Sequence, residues 1–182
     1  KFSFLVNYKL QLGIVKGDFD DEILANNSSI KHIGTQWGLG PYKYIKEVKN
    51  IYNELGQPEV VHIHLNAKAG IIALAAKLAG AKRIIAHSHA YIKFRGSILR
   101  ILLSSIEMQF QKILIFIFCT DYWGASDQAN KCLFYNKFLV NSKVINNAVD
   151  IKRFQDVTYK EIEDFKSSFN ISDKTLVLGS IG

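Results

Sequence analysis

Hydrophobic positions along this chain switch between strand-like and helix-like spacing. Val60 to Leu65 and Arg83 to Ser88 are short runs rich in β-branched residues, the pattern of strands in a sheet buried on both faces. Between them Ala67 to Ala79 has the small, apolar composition of a packed helix, so Glu59 to His89 is expected to form one strand-helix-strand unit. Upstream, Lys1 to Val6 alternates toward a strand. The polar segment Gly17 to Asn27 then carries Asp18, Asp20, Asp21 and Glu22, as a helix start does, and Ser29 to Ile33 is a second short strand. Trp37 to Pro41 is a turn cluster. After it Tyr44, Ile45, Val48, Ile51, Tyr52 and Leu55 recur at helical spacing, their aromatics serving as core packing, until Gly56 and Pro58 end the helix.

Beyond a basic, aromatic loop after His89, the segment Ile98 to Phe118 is long and strongly apolar. Arg100, Glu107 and Lys112 interrupt it, which predicts a buried or amphipathic helix rather than a membrane span. Its Ile113 to Phe118 end is apolar enough to touch a bilayer, and a core helix under the sheet carries equal weight. Asp121 to Ser126 predicts a short strand and a helix cap, Gln128 to Phe134 the helix behind it, and Lys143 to Asp150 a strand ending in a polar turn. Thr158 to Phe169 is a charged amphipathic helix, Asn170 to Lys174 a turn, and Thr175 to Gly182 a strand running into glycine. A strand followed by Gly-Ser-Ile-Gly ordinarily opens a new unit, so a second domain is expected to begin there. The whole pattern is that of an α/β fold on a mostly parallel sheet.

Composition narrows the function classes. With 182 residues, 48% of them hydrophobic, the chain buries a full core. A net charge of +7 and a pI near 9.3 favour an anionic partner, but Lys and Arg are scattered, so nucleic acid is not supported. An anionic membrane surface or a phosphate-bearing substrate would use the same charge. Cys119 and Cys132 lie far from any C-x-x-C spacing, which argues against a zinc knuckle or a disulfide framework and for a reducing cytoplasm. The chain begins with Lys1 and shows no signal-peptide pattern, and residues upstream of it are expected.

The candidate chemistry lies in two His-x-His pairs. Side chains two apart on a strand share a face, roughly 6.5 Å apart along it, so His62 and His64 look one way, as do His87 and His89. Ligands of open parallel sheets bind beyond the carboxyl ends of the strands, where His64 and His89 would emerge. Imidazoles suit zinc, and strand-borne His-x-His pairs occur in metal-dependent hydrolases. Against that, the remaining histidine is only His32, and Asp121 and Asp150 stand without a supporting pattern. The acidic cluster near Asp20 lacks the spacing of a calcium loop. No Gly-x-Ser-x-Gly elbow and no Gly-x-Gly-x-x-Gly fingerprint occurs. The plainest reading makes at least two of the four histidines satisfied core residues.

These residues carry a resemblance. Val-Val-His-Ile-His, the Ala-Lys-Ala-Gly helix, Arg-Ile-Ile-Ala-His-Ser-His, Tyr-Trp-Gly-Ala-Ser126-Asp, Val-Ile-Asn-Asn-Ala-Val-Asp150 and Arg153-Phe154 follow one another between residues 59 and 154. In that order and spacing they resemble the first domain of family 4 glycosyltransferases, with the nearest likeness to members that build bacterial capsular polysaccharides and exopolysaccharides. Residues 1 to 58 fit more loosely.

The resemblance implies the N-terminal half of a GT-B architecture, Rossmann-like, with the first strand and its glycine-rich loop lying upstream of Lys1. Residues 1–154 would be the acceptor-binding domain, and 155–182 a linker helix and the first strand of a nucleotide-sugar domain. Such enzymes retain anomeric configuration, use a nucleotide sugar as donor and need no essential metal or cofactor. His89 matches the family's cleft histidine, with His87 the alternative register. His64, Asn66 and Gly70 would line the acceptor mouth, and Lys93 and Arg95 would meet a saccharide or lipid-linked acceptor bearing phosphate. Ser126, Asn147 and Asp150 would lie along the cleft between domains. The place of work would be the cytoplasm at the inner face of the membrane, with a peripheral membrane contact. These residues alone would not turn over, and loss of a central strand would leave two edges that invite a homodimer. Two other readings stand beside it: a metal-dependent hydrolase on the His-x-His pairs, and a membrane-associating module on Ile98 to Phe118.

Overall fold

The computed structural model describes residues 3–8, 20–148, 151–152, 157–172 and 174–177, with the backbone alone for residues 3–8 and Trp37. The chain divides into two compact units, Lys1–Asn146 and Asn147–Gly182.

The first unit is α/β and its strand pairs are all parallel. Strand β1 (Ser3–Tyr8) pairs with β2 (Ser29–Gly34), which follows the short helix α1 (Asp20–Ala25). A four-stranded sheet then takes β3 (Val60–Ile63), β4 (Arg83–Ser88), β5 (Asp121–Gly124) and β6 (Lys143–Val144) in chain order. Parallel neighbours need long crossovers. Helix α4 (Ala69–Ala79), entered through a single 3-10 turn at Asn66–Lys68, supplies the first, and α5 (Ile98–Phe118) the second. This is the Rossmann-like parallel sheet flanked by helices that the sequence predicts.

Before the large sheet come α2 (Gln36–Leu39) and α3 (Pro41–Glu54); after β5 come α6 (Asp127–Leu133) and α7 (Asn136–Leu139). The core sits on the sheet face that carries Ile63, Ile84, Ala86 and Tyr122, under α3, α4 and α5. Helix α3 buries Tyr44, Val48, Ile51 and Tyr52, as its spacing predicts, and the Tyr52 hydroxyl donates to the carbonyl of Pro58 at 3.0 Å. Helix α4 buries Ala69, Gly70, Ile72, Ala73, Ala75 and Ala76, a face small enough for both neighbours to come close. At Gly70 a Cβ would run into the Gln111 carbonyl, so only glycine fits beneath α5.

Some boundaries differ from expectation. β6 spans two residues instead of running from Lys143 to Asp150, because Asn146, Asn147 and Ala148 are exposed and join no ladder; Val149 and Asp150 lie outside the described residues. β3 stops at Ile63, since Asn66 adopts φ 45° and turns the chain. The one-turn helices α2 and α7 are too short to leave a periodic signal. In the second unit α8 (Tyr159–Ser168) is closed at its start by a reciprocal cap between Thr158 and Glu161. Thr175, Leu176 and Val177 form no strand, and residues 178–182 of that expected strand lie outside the described residues.

Both cysteines are free thiols. Cys119, directly after α5, is buried, and burial pushes its thiol up to about 12. Cys132 is partly exposed, and its sulfur accepts from the backbone N–H of Ile92 at 3.2 Å.

Candidate functional site

β3 and β4 run side by side with Val60 opposite Arg83 and Ile63 opposite Ala86. In that register the odd positions of β4 and the even positions of β3 point away from the core, so the two His-x-His pairs meet on one face. His64 and His89 each lie one residue beyond the carboxyl end of their strand, at the edge where parallel sheets bind ligands. Thus all four imidazoles form a single quartet. His62 Nε2 is 3.0 Å from His87 Nδ1, and His64 Nδ1 is 2.6 Å from His89 Nε2. The rings of His62 and His64 stand 4.0 Å apart, and those of His87 and His89 4.2 Å.

An N–H···N bond needs one nitrogen with a proton and one without, so each bonded pair requires at least one neutral ring. Burial, reinforced by the neighbouring imidazoles, lowers His62 and His87 to about 4. His64 is lowered too, first by burial and then by His89. His62 and His87 are therefore neutral at physiological pH, hydrogen-bonding groups rather than cations. The depth of the quartet is graded. His62, His64 and His89 are exposed or half-exposed, whereas His87 is 4% exposed and its Nε2 has no hydrogen-bond partner among the described residues.

Several neighbours fix the quartet. Trp123, paired in register with His87, stands edge-on to His62 at 5.0 Å between centroids. The Asn66 side-chain oxygen accepts from the backbone N–H of His89 at 2.6 Å, tying the turn after β3 to the end of β4. Beneath, Ser88 donates its hydroxyl to the Ala129 carbonyl at 2.9 Å. At the start of α4 a buried amide chain closes the helix end. Gln111 Oε1 accepts from Ile71 N–H at 3.0 Å, Gln111 Nε2 donates to Gln36 Oε1 at 3.3 Å, and Gln36 Nε2 donates to the Lys68 carbonyl at 2.7 Å.

The residues singled out by sequence are distributed unevenly. His64, His87, His89 and Asn66 come together. Gly70 is buried against Gln111 rather than open at the mouth. Ser126 caps α6 by accepting from Ala129 N–H at 3.2 Å. Lys93 and Arg95 are exposed on the loop that leaves β4. Asn147 falls in the second unit, and Asp150 lies outside the described residues. Trp123 and Gln111 were not singled out as site residues. Trp123 carried a usable signal, alternation in a strand next to a His-x-His strand; Gln111, a polar residue at a buried helix position, carried another.

His62, His64 and His87 bring one nitrogen each to within 4.8 Å of one another. No carboxylate joins them in that group. Asp121 is engaged instead by Arg83, through bonds of 3.0 and 2.7 Å, toward the amino end of the sheet. The hydrolase reading, which needs a carboxylate beside the imidazoles, is not favoured by this arrangement.

No family profile matches the chain. In sequence it is similar to a Bacillus subtilis (strain 168) protein named "Putative glycosyltransferase EpsF", 24% identical over 165 residues, which cover 90% of this chain and 42% of that relative. In structure it is similar to Anabaena Alr3699/HepE, crystallised in complex with UDP and glucose. The TM-score is 0.62 at 14% identity, over 93% of this chain and 50% of that one. The chain thus spans half or less of the length of the proteins it matches, and the structural likeness is one of fold.

Proposed function

We propose that this chain is the acceptor-side half of a family 4, GT-B glycosyltransferase that moves a sugar, with retention, from a nucleotide sugar to a saccharide or lipid-linked acceptor in bacterial surface-polysaccharide synthesis. One observation carries the reading above the others. His64 and His89, bonded to each other at 2.6 Å, stand at the carboxyl mouth of a parallel sheet whose fold is shared with a protein solved with UDP and glucose. The sequence likeness to EpsF supports it independently.

In this mechanism His89 is the catalytic group. Its imidazole exchanges the bond to His64 for one to a hydroxyl of the transferred sugar, and His64 is released toward the acceptor. Asn66 holds the backbone beneath His89, so the ring enters the cleft at a fixed height. His87, buried, acts through its neighbours as a positioning residue. Lys93 and Arg95 offer charge to an acceptor phosphate. Asn147 and Asp150 precede the proposed donor domain in sequence. The transfer needs no essential metal, since imidazole hydrogen-bond donors meet the sugar directly.

The enzyme works in the cytoplasm at the inner membrane face. Leu99, Leu102, Ile106, Phe110, Ile113 and Ile117 form a stripe along the outer side of α5, each at least 45% exposed. It runs about 27 Å. The helix is long and apolar enough to cross a membrane by length and composition, but its inner side packs in the core, so the stripe lies on a bilayer rather than through it. The exposed cations Lys93, Arg95 and Arg100 flank its amino end, which suits anionic lipid.

The decisive experiment is calorimetric titration of the full-length protein with a panel of nucleotide sugars, followed by transfer assays. Binding of one donor, with transfer reduced at least a hundredfold in His89→Ala, is the expected result. A folded full-length protein that binds no nucleotide sugar overturns the reading.

A further inference from the structure

We propose that His62, His64 and His87 form a binding site for one divalent ion of the zinc class. Three features converge on it. The ligand atoms are already close: tetrahedral zinc with imidazole bonds of about 2.0–2.1 Å holds its nitrogens about 3.3 Å apart. His62 Nε2 and His87 Nδ1 are 3.0 Å apart, and the three ligand atoms all lie within 4.8 Å. Closing the triangle takes a movement of about 1.5 Å, within the reach of the exposed His62 and His64 side chains by small torsions. Next, the site is half built. His87 is 4% exposed and fixed by β4, so its Nδ1, the nitrogen that faces His62, is a rigid anchor for one ligand bond.

The third feature is the donor set. Three imidazoles and no carboxylate suit zinc, cobalt, nickel or copper and disfavour magnesium and calcium, which take oxygen. His62 and His64 face solvent, so a fourth position stays open to water or to a hydroxyl at the mouth. His89 stands outside this triad and is bonded to His64. An ion taken by His64 through Nδ1 displaces His89 from that nitrogen. Resting on the transferase reading, this makes the ion a reversible brake: it holds His64 and so takes it from the acceptor side.

The binding itself is tested without any sugar. Untagged full-length protein, stripped with chelator, is titrated with cobalt(II) and followed by its visible spectrum, with zinc competition in a calorimeter. One cobalt per chain with a tetrahedral spectrum is expected. Affinity should fall at least tenfold in His62→Gln and in His64→Gln, stay within threefold in His32→Gln, and persist in His89→Ala even as that variant loses transfer. Circular dichroism of each variant establishes that the fold is kept. A folded protein that takes up no cobalt, or binds it equally well in His62→Gln and His64→Gln, overturns the site. Either result leaves the nucleotide-sugar titration free to stand or fall separately.

Discussion

His62 and His87 share a hydrogen bond across two parallel strands, 3.0 Å between nitrogens with ring planes 1° apart, although 25 residues separate them in the chain. That bond lasts only while at least one of the two rings is neutral. It makes the sheet's outer face a place where acid acts.

Stability should therefore fall at low pH. Both rings are lowered from 6.5 to about 4 by burial first and by their imidazole neighbours second, so between those values the unfolded chain binds protons that the folded chain refuses. The contribution is complete above pH 6.5 and is lost as pH falls toward 4. His64, His89 and Trp123 face the same cluster, and the two other histidines add repulsion once any ring charges. With chelator present, urea midpoints should drop over this window by a loss of about 2 kcal/mol, discounted for the exposure of His62. A double variant, His62→Gln with His87→Gln, should flatten the slope; an unchanged slope would mean the histidines are not its source.

Asn66→Ala should weaken the mouth at a distance from any substrate. It removes the acceptor for the His89 N–H and places alanine at φ 45°, a region alanine disfavours by about 1 kcal/mol. Hydrogen exchange at the His89 amide should quicken about tenfold. Asn66→Gly separates the two effects, restoring stability but not amide protection. Protection that survives in both variants would remove Asn66 from its positioning role.

Gly70→Ala should cost about 1–3 kcal/mol, because the added carbon meets the Gln111 backbone where α4 and α5 touch. Gln111→Leu should cost a similar amount for a different reason, leaving the Ile71 N–H and the Gln36 side chain without their partner. Thermal melts of the two single variants and the double variant test this. The costs should fall short of additive, since both changes act on one contact.

Ile106→Asp and Phe110→Asp lie on the outer stripe of α5, away from the core. Each should leave the melting temperature nearly unchanged and lower binding to anionic liposomes at least tenfold in co-sedimentation. If instead liposome binding is unaffected and a dimer becomes a monomer in analytical ultracentrifugation, the stripe joins two copies of the chain.

How much of this was legible in the sequence depends on the range of the interaction. β4 and α5 have the same limits in sequence and structure because each is a mostly apolar run bounded by polar or turn-forming residues. The shared face of His62 and His64, or of His87 and His89, follows from the period of a strand alone. The bond between His62 and His87 does not, since the register of β3 against β4 is set by the turn at Asn66 and by how closely α4 packs. Gln111 meets Gln36 across 75 residues, a pairing no local pattern encodes. Val144 was extended into a longer strand because Val144 and Ile145 look extended, whereas edge pairing ended with the exposed asparagines.

The two thiols differ so much in setting that the molecule carries a built-in reporter position. Cys119, buried and held as a thiol up to about 12, should resist maleimide in the folded state, while Cys132 should react. A fluorophore on Cys132 would sit under Ile92, at the root of the loop that presents Lys93 and Arg95. Without any engineered cysteine, its emission would follow that loop as candidate ligands are titrated in.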